Sequence, residues 1–357
     1  MNKMLFSPLK LREVVFRNRI TVSPMCQYSS EDGFANNWHL VHLGSRAVGG
    51  AALVTTEATA VEPRGRISPQ DLGIWKDDHL EMLKQITTFI ESQGALAGIQ
   101  LAHAGRKAST RRPWDSGPRP VKLEEGGWIP VAPTSIPYDT NYPVPIELTR
   151  REMQVIEKAF QKGVERAYAA GFKVVEIHAA HGYLIHEFLS PLSNQRKDDY
   201  GGSLENRMKF PLEIVKAARK VWPEKYPLFV RISATDWVSG GWDLEQSVVF
   251  SKKLKEEGVD LIVCSSGGMV SYAEIPDEPG YQVPFSDRIR NEVGIPTAAL
   301  GLITEAPQAE KILQEGKADL IAIARGFLRD PYWPLMAASR LQIETSLWPA
   351  QYLRAKG

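Results

Sequence analysis

Short apolar runs rich in β-branched residues recur along the chain and alternate with segments of helical period. This alternation is typical of strand–helix units built on a buried parallel sheet. We predict eight strands, at residues 19–23, 52–56, 97–101, 173–178, 228–232, 261–265, 297–301 and 320–324.

Two of the intervening helices have clear N-terminal signals. Thr149 and Glu152 have the spacing of a capping box. Ser203 is a candidate N-cap, and Glu205 falls in the first turn that follows it. Pro211 lies inside this second helix, where we expect it to cause a kink.

Eight strand–helix units predict an α/β fold, a (β/α)8 TIM barrel, because right-handed crossovers close such units into a barrel. An open doubly wound sheet is the alternative. We expect residues 1–357 to form a single domain, with a hairpin at the N-terminus. Residues 104–149, after the third strand, contain eight of the 24 prolines. Such a long connection is predicted to be a capping insertion over the barrel mouth.

The composition of the chain restricts the classes of partner that the protein could bind. Lys and Arg number 43 against 42 Asp and Glu, so no global charge attracts nucleic acid or an anionic membrane. No apolar run is long enough to span a bilayer, and the charges at the N-terminus do not suit a signal peptide. The two cysteines cannot form a disulfide framework. We therefore expect a cytoplasmic protein that acts on a small molecule.

The last two strands indicate a phosphate site. They end near Gly301 and at Ala324-Arg325-Gly326, the place where barrels of this type bind phosphate. The glycines let backbone N–H groups approach closely, and Arg325 offers a fork of donors. Turn formation alone is the alternative role of these glycines.

Arg231 and Gln100 also stand at strand ends. A fixed arginine would stabilise the negative charge that develops on a flavin when it accepts hydride. Gln100 can donate and accept, as the edge of a flavin requires. A structural salt bridge of Arg231 is an equally good explanation on spacing alone.

His178 ends the fourth strand, and His181 and Tyr183 follow it. The two histidines could hold a carbonyl or nitro oxygen while Tyr183 donates a proton to the neighbouring carbon. Two alternatives remain open, namely a structural histidine pair and a zinc site that adds His186 and Glu187. We predict no metal, because ligand spacings are lacking elsewhere.

Cys26 follows the first strand, close to Tyr28. A buried free cysteine is usually a small apolar residue. A nucleophilic thiol would need an activating base, which the histidines could supply, so a thiol hydrolase is conceivable.

Several ordered motifs resemble the old yellow enzymes, in particular the branch of xenobiotic reductases and thermophilic-like ene-reductases. The motifs include Ser23-Pro24-Met25-Cys26-Gln27-Tyr28, the segment 178–184, residues 199–207 and Ala324-Arg325-Gly326. The likeness covers nearly the whole chain. Ala324 departs from the glycine that many relatives have.

The resemblance implies an FMN enzyme that uses NADPH or NADH to reduce the activated C=C bond of an enone or nitro compound in a ping-pong reaction. It implies cofactor contacts from Ser23, Pro24, Met25, Cys26, Ala58, Gln100, Arg231, Gly301, Ala324 and Arg325. It places the substrate against Tyr28, His178, His181 and Tyr183, and makes Tyr183 the proton donor. It further implies a homodimer or homotetramer in which Arg354 reaches a neighbouring subunit's site.

Two functions of other classes compete with this one. A metal-dependent hydrolase could use the same barrel, and a non-catalytic barrel could bind a phosphorylated ligand, because a fold alone does not determine function.

Overall fold

A computed structural model describes residues 3–356. The strands are β1 (Leu9–Leu11), β2 (Val14–Phe16), β3 (Ile20–Val22), β4 (Leu53–Ala60), β5 (Leu96–Ala102), β6 (Val131–Ala132), β7 (Ile146–Glu147), β8 (Val174–Ala179), β9 (Leu228–Ser233), β10 (Leu261–Ser265), β11 (Thr297–Ala299) and β12 (Leu320–Ile323). The helices are α1 (Asn37–Val48), α2 (Leu80–Ser92), α3 (Arg150–Ala169), α4 (Leu184–Leu189), α5 (Leu204–Val221), α6 (Leu244–Glu256), α7 (Val283–Val293), α8 (Ala306–Gln314), α9 (Arg325–Arg329) and α10 (Trp333–Arg340).

Eight parallel strands close into a barrel in the order β3, β4, β5, β8, β9, β10, β11, β12 and back to β3. The predicted (β/α)8 fold and all eight predicted strands are confirmed. Two strand ends differ from the prediction by two residues or more. β4 continues to Ala60, past a register shift between Thr55 and Ala58, and β11 ends at Ala299.

The helical caps are also confirmed. Thr149 accepts from the backbone N–H of Glu152 at 3.3 Å, and the Glu152 carboxylate accepts from the N–H of Thr149 at 2.9 Å. Ser203 caps α5 by accepting from the N–H of Asn206. α5 is assigned as one helix that includes Pro211, so the kink remains a prediction.

The N-terminal hairpin of β1 and β2 is present and lies at the end of the barrel where the strands begin. Its apolar side chains pack with barrel residues such as Leu53 and Leu261. The Phe16 ring stacks on that of Phe229, with centroids 6.1 Å apart. This packing closes one end of the barrel and leaves the other end available for a site.

Residues 104–149 hold little regular structure, namely two short 3-10 turns and the two-residue strands β6 and β7. The Arg196 guanidinium ties this segment to the body by donating to the carbonyls of Pro133 and Leu148. Over residues 3–356, no helix has the length and apolar character needed to cross a membrane.

Candidate active site

The carboxyl ends of parallel strands in such a barrel share one mouth. A cavity of about 440 Å³ opens there, between strand ends and the loops after β10, β11 and β12. Of the residues that we predicted to contact a cofactor or substrate, those lining the cavity are Ser23, His181, Arg231, Gly301, Ala324 and Arg325. Residues from distant parts of the sequence thus meet in one place.

Arg231 is buried on β9 and keeps unused donor capacity. Its Nη1 donates to the Ser23 Oγ at 3.0 Å, while its Nε has no partner among the described residues. Glu176 lies near, but its carboxylate accepts from Gln100 Nε2 at 2.6 Å. Burial lowers the pKa of Arg231, and the charge of Glu176 opposes that shift. A buried guanidinium with a free N–H is suited to a ligand in the cavity.

Gly301 provides a close backbone approach. Its φ of +100° is one that L side chains rarely adopt, and a Cβ there would lie 3.0 Å from the Gln282 side chain. Ala324 immediately precedes α9, and Arg325, exposed at the cavity, is the first residue of that helix. This arrangement fits the predicted phosphate position.

His178, His181 and Tyr183 form one cluster. The His178 ring contacts the His181 and Tyr183 rings edge-on, with centroids 5.1 and 5.0 Å away. Burial, and next the charge of Arg231, lowers the pKa of both imidazoles well below the usual value. Burial raises the pKa of the Tyr183 phenol. Near neutral pH the cluster therefore holds two neutral imidazoles and a protonated phenol.

The turn that holds His181 is tightly packed. His181 has a φ of +60°, and its Nε2 lies 2.7 Å from the Ser265 Oγ. At Gly182 a Cβ would lie 2.1 Å from the carbonyl oxygen of Gly268. The loops after β8 and β10 are thus in direct contact, and only glycine fits at Gly182.

Cys26 and Tyr28 lie on an apolar side of the site, against a small cluster that also includes Ile67 and Tyr183. Burial raises the pKa of the Cys26 thiol well above its usual value. A nucleophile requires the thiolate, so this environment speaks against a thiol hydrolase. The Tyr28 ring contacts Trp114 of the insertion edge-on, with centroids 5.6 Å apart.

The residues of the possible zinc site are engaged elsewhere. The His186 Nε2 lies 3.0 Å from Asp236 Oδ1, and Glu187 accepts from the backbone N–H of Arg106 at 2.8 Å. Residues 3–356 contain no group of three or more potential metal ligands.

The remaining predicted residues are placed as follows. Ala58 and Gln100 are buried on the paired strands β4 and β5, and Pro24 and Met25 are partly buried after β3. Arg354 is exposed in the 3-10 turn Ala350–Ala355 and is not part of the lining of the 440 Å³ cavity.

Sequence reasoning missed three residues of the site. Glu176 stands two residues before His178 on β8, and a charged residue in so apolar a strand was a usable signal. Gln282, which donates to the Ser266 Oγ at 2.7 Å, follows an irregular loop that carries no such signal. Lys107 belongs to a turn whose position only the tertiary structure shows.

Comparison with known proteins identifies the family. A family model described as NADH:flavin oxidoreductase / NADH oxidase matches residues 4–344. The chain belongs to this family. It is 51% identical to an NADPH dehydrogenase of Bacillus licheniformis and 49% identical to one of Geobacillus thermodenitrificans, each over 356 residues that cover 99% of both chains.

Solved structures agree with this family assignment. Morphinone reductase has a TM-score of 0.80 and 26% identity, with 96% of this chain and 91% of that one covered. The old yellow enzyme homologue from Zymomonas mobilis has a TM-score of 0.78 and 25% identity, with 99% of this chain and 98% of that one covered. The resemblance to old yellow enzymes is confirmed. The protein is an FMN-dependent NAD(P)H oxidoreductase of the ene-reductase type, and the hydrolase and non-catalytic alternatives are not favoured.

The cavity fits the FMN of an old yellow enzyme. The free Nε of Arg231 and the unpartnered, buried Oε1 of Gln282 are polar atoms that a polar ligand would satisfy. Because Gly301 has no Cβ, its backbone leaves space in the cavity. Arg325 supplies positive charge at the same cavity.

Proposed function

We propose that the protein reduces the activated C=C bond of small α,β-unsaturated carbonyl or nitro compounds. His178 and His181 would hold the activating oxygen, and Tyr183 would donate a proton to the adjacent carbon. The observation that carries the proposal is the cluster of these three neutral groups at the barrel mouth.

Ten residues would hold the cofactor, and five of them line the cavity. When bound, FMN supplies the hydride chemistry, since it accepts a hydride from NADPH or NADH and passes it to the alkene. Arg231 would face the part of the flavin that becomes negative, and Arg325 would bind the phosphate. The full proposed set is Ser23, Pro24, Met25, Cys26, Ala58, Gln100, Arg231, Gly301, Ala324 and Arg325.

The histidines act as hydrogen-bond donors to oxygen. Negative charge grows on the activating oxygen as the alkene is reduced, and preorganised N–H groups in a buried site stabilise that charge. Neutral imidazoles still carry one N–H each. Because burial keeps both imidazoles neutral, they would bind and release the substrate without a change in their own protonation state.

Tyr183 is suited to proton donation because burial keeps its phenol protonated. Its O–H bond breaks as the new C–H bond forms, and the phenolate later takes a proton from solvent. Tyr28 and Cys26 would line the apolar side of the substrate, with Cys26 modulating the flavin.

The proposal also covers the insertion, the oligomer and the cellular location of the enzyme. Residues 104–149 would form a lid within a single-domain chain of residues 1–357, as the contact of Trp114 with Tyr28 supports. Arg354, exposed and away from its own cavity, would reach the site of a neighbour in a homodimer or homotetramer. We place the enzyme in the cytoplasm.

The function is tested with purified enzyme, NADPH and 2-cyclohexenone without oxygen. We expect cyclohexanone in equal amount to the NADPH consumed. The matched control substrate is 2-cyclohexenol, which has a hydroxyl group in place of the activating carbonyl group and should not be reduced. Formation of 2-cyclohexenol from the enone, or no turnover of enones and nitroalkenes by a reducible holoenzyme, would contradict the proposal.

A further inference from the structure

The side chain of Lys107 joins three loops at the barrel mouth. Lys107 ends the 3-10 turn Gly105–Lys107, directly after β5. Its Nζ donates to the carbonyl oxygen of His181 at 2.9 Å and to that of Gly268 at 3.0 Å. These are the two loops that the close approach of Gly182 to Gly268 brings together. One ammonium group therefore holds the His181 turn against its neighbour.

The same ammonium group lies near two phenol rings. Its Nζ is 4.3 Å from the ring centroid of Tyr138, in the insertion, and 5.3 Å from that of Tyr183. Arg106, the preceding residue, is buried and donates through Nη2 to the carbonyl of Met269 at 2.6 Å. The turn thus anchors the start of the insertion to the loop after β10 with two cations.

The surroundings of Lys107 bring its pKa close to neutral pH, so the charge of its side chain depends on pH. Burial lowers the pKa of Lys107 to about 7, the charges of Arg106 and Arg119 act in the same direction, and Glu187 opposes them. The other titratable groups near it are Tyr138, Tyr183, His178 and His181, and both imidazoles are neutral near pH 7.

We propose that Lys107 is a positioning residue for proton transfer: its ammonium group fixes the His181 turn and stabilises the phenolate of Tyr183 once the phenol has given its proton to substrate carbon. The proposal rests on the proposed role of Tyr183. Lys107 keeps its own proton throughout, and the Tyr183 phenolate is reprotonated by solvent. An ammonium group that lies near an aromatic ring, away from water, interacts with the ring strongly enough to change the rate of this proton transfer.

The sign of the pH dependence follows from the charge. Lys107 is cationic below a pKa of about 7 and neutral above it. We therefore expect the rate at which an enone reoxidises the reduced enzyme to fall as pH rises through this value. Reduction of the enzyme by NADPH does not use Tyr183, so its rate should not show this decline with pH.

The test compares Lys107→Arg and Lys107→Met with the wild-type holoenzyme in stopped-flow measurements of both half-reactions. Arginine stays charged, so Lys107→Arg should retain the enone step and move its decline to higher pH. Lys107→Met should slow that step about 3- to 30-fold at low pH, the range for one cation–π contact, and remove the decline. Lys122→Met, an exposed lysine of the same insertion, is the control.

A second readout does not depend on turnover. In enzyme labelled with ¹⁵N-lysine, the Nζ signal that disappears in Lys107→Arg should titrate near neutral pH. A signal that stays cationic well above neutrality would contradict the expected pH dependence. An enone step in Lys107→Arg that declines at the same pH as in wild type would overturn the proposal even where Lys107→Met does not fold.

Failure of this inference is separable from failure of the proposed function. If Tyr183→Phe reacts with the enone as fast as wild type, the proton-donor role itself is wrong, and the Lys107 proposal falls with it. If Tyr183→Phe is slow but Lys107→Met is as fast as wild type at every pH, only the Lys107 proposal is wrong.

Discussion

Burial sets the protonation state of each residue at the barrel mouth. Desolvation disfavours the charged form of any group, so it lowers the pKa of His178 and His181 and raises those of Cys26 and Tyr183. Arg231 remains a cation despite its burial because its pKa starts so high. The site therefore combines the positive charges of Arg231 and Arg325 with neutral donors, which suits a reaction that develops negative charge.

Tyr183→Phe tests the proton donor. We expect reduction of the holoenzyme by NADPH to proceed at nearly the wild-type rate and reoxidation by 2-cyclohexenone to slow about 10²- to 10⁴-fold, because a positioned general acid contributes that much. Stopped-flow spectroscopy of flavin absorbance separates the two half-reactions. Tyr200→Phe is the control, because Tyr200 is not in the cavity lining and its hydroxyl group donates to Glu213. Wild-type reoxidation by the enone would show that the proton comes from elsewhere.

Arg325→Ala tests the phosphate site. Loss of the guanidinium removes charge-assisted hydrogen bonds to the FMN phosphate, each of which is worth about 1.5–3 kcal/mol. We expect the variant to purify with much less flavin and to rebind FMN at least about tenfold more weakly. Fluorescence titration of the apoenzyme with FMN measures this, with Arg340→Ala, at the end of α10, as the control. Unchanged FMN affinity in Arg325→Ala would refute the assignment.

At the level of elements, α3 depends on its capping box. Thr149→Ala removes a side-chain acceptor for the backbone N–H of Glu152. We expect the free energy of unfolding to fall by about 0.5–2 kcal/mol, while activity at low temperature is retained. Denaturant unfolding followed by circular dichroism gives the value. Thr149→Ser preserves the acceptor and should be close to wild type; an equal loss in both variants would exclude the cap as the cause.

Strand ends show where element prediction loses accuracy. The apolar runs located all eight barrel strands, but Ala58 lies inside β4, beyond an irregularity in its pairing with β5. Hydrogen bonding to a neighbouring strand decides where a strand stops, and that neighbour is distant in sequence. Thr56 and Thr59, which bond to each other at this point, are ordinary strand residues in the sequence.

At the scale of the whole molecule, the proposed role of Arg354 links assembly to activity. Deleting residues 353–357 removes a charged partner from the neighbour's substrate site, and a hydrogen bond to a charged group is worth about 1.5–3 kcal/mol. We expect KM for enones to rise at least about tenfold, with little change in melting temperature.

Steady-state kinetics and analytical ultracentrifugation together check this prediction. Arg354→Lys keeps the charge and should show a smaller increase in KM. An unchanged KM in a truncated protein that still forms the same oligomer would eliminate the role of Arg354.

The sequence by itself determined the barrel and the chemical types at its mouth. Strand and helix periodicity are local properties, and parallel strands place their carboxyl ends together whatever the loops do. For that reason strand ends alone are enough to select His178, Arg231 and Arg325 as candidate site residues. The resemblance of the motif around Ser23 and Cys26 to old yellow enzymes indicated a flavin cofactor.

Only the tertiary structure decided how these residues act on one another. Whether Arg231 meets a carboxylate, whether His186 is free to bind metal, and where the Lys107 ammonium lies all depend on side chains from different loops packing within a few ångströms. Those contacts also create the burial that shifts each pKa, and burial cannot be read from neighbours in sequence. The residues were predictable because strand ends are local features, whereas their protonation and partners required the closed barrel.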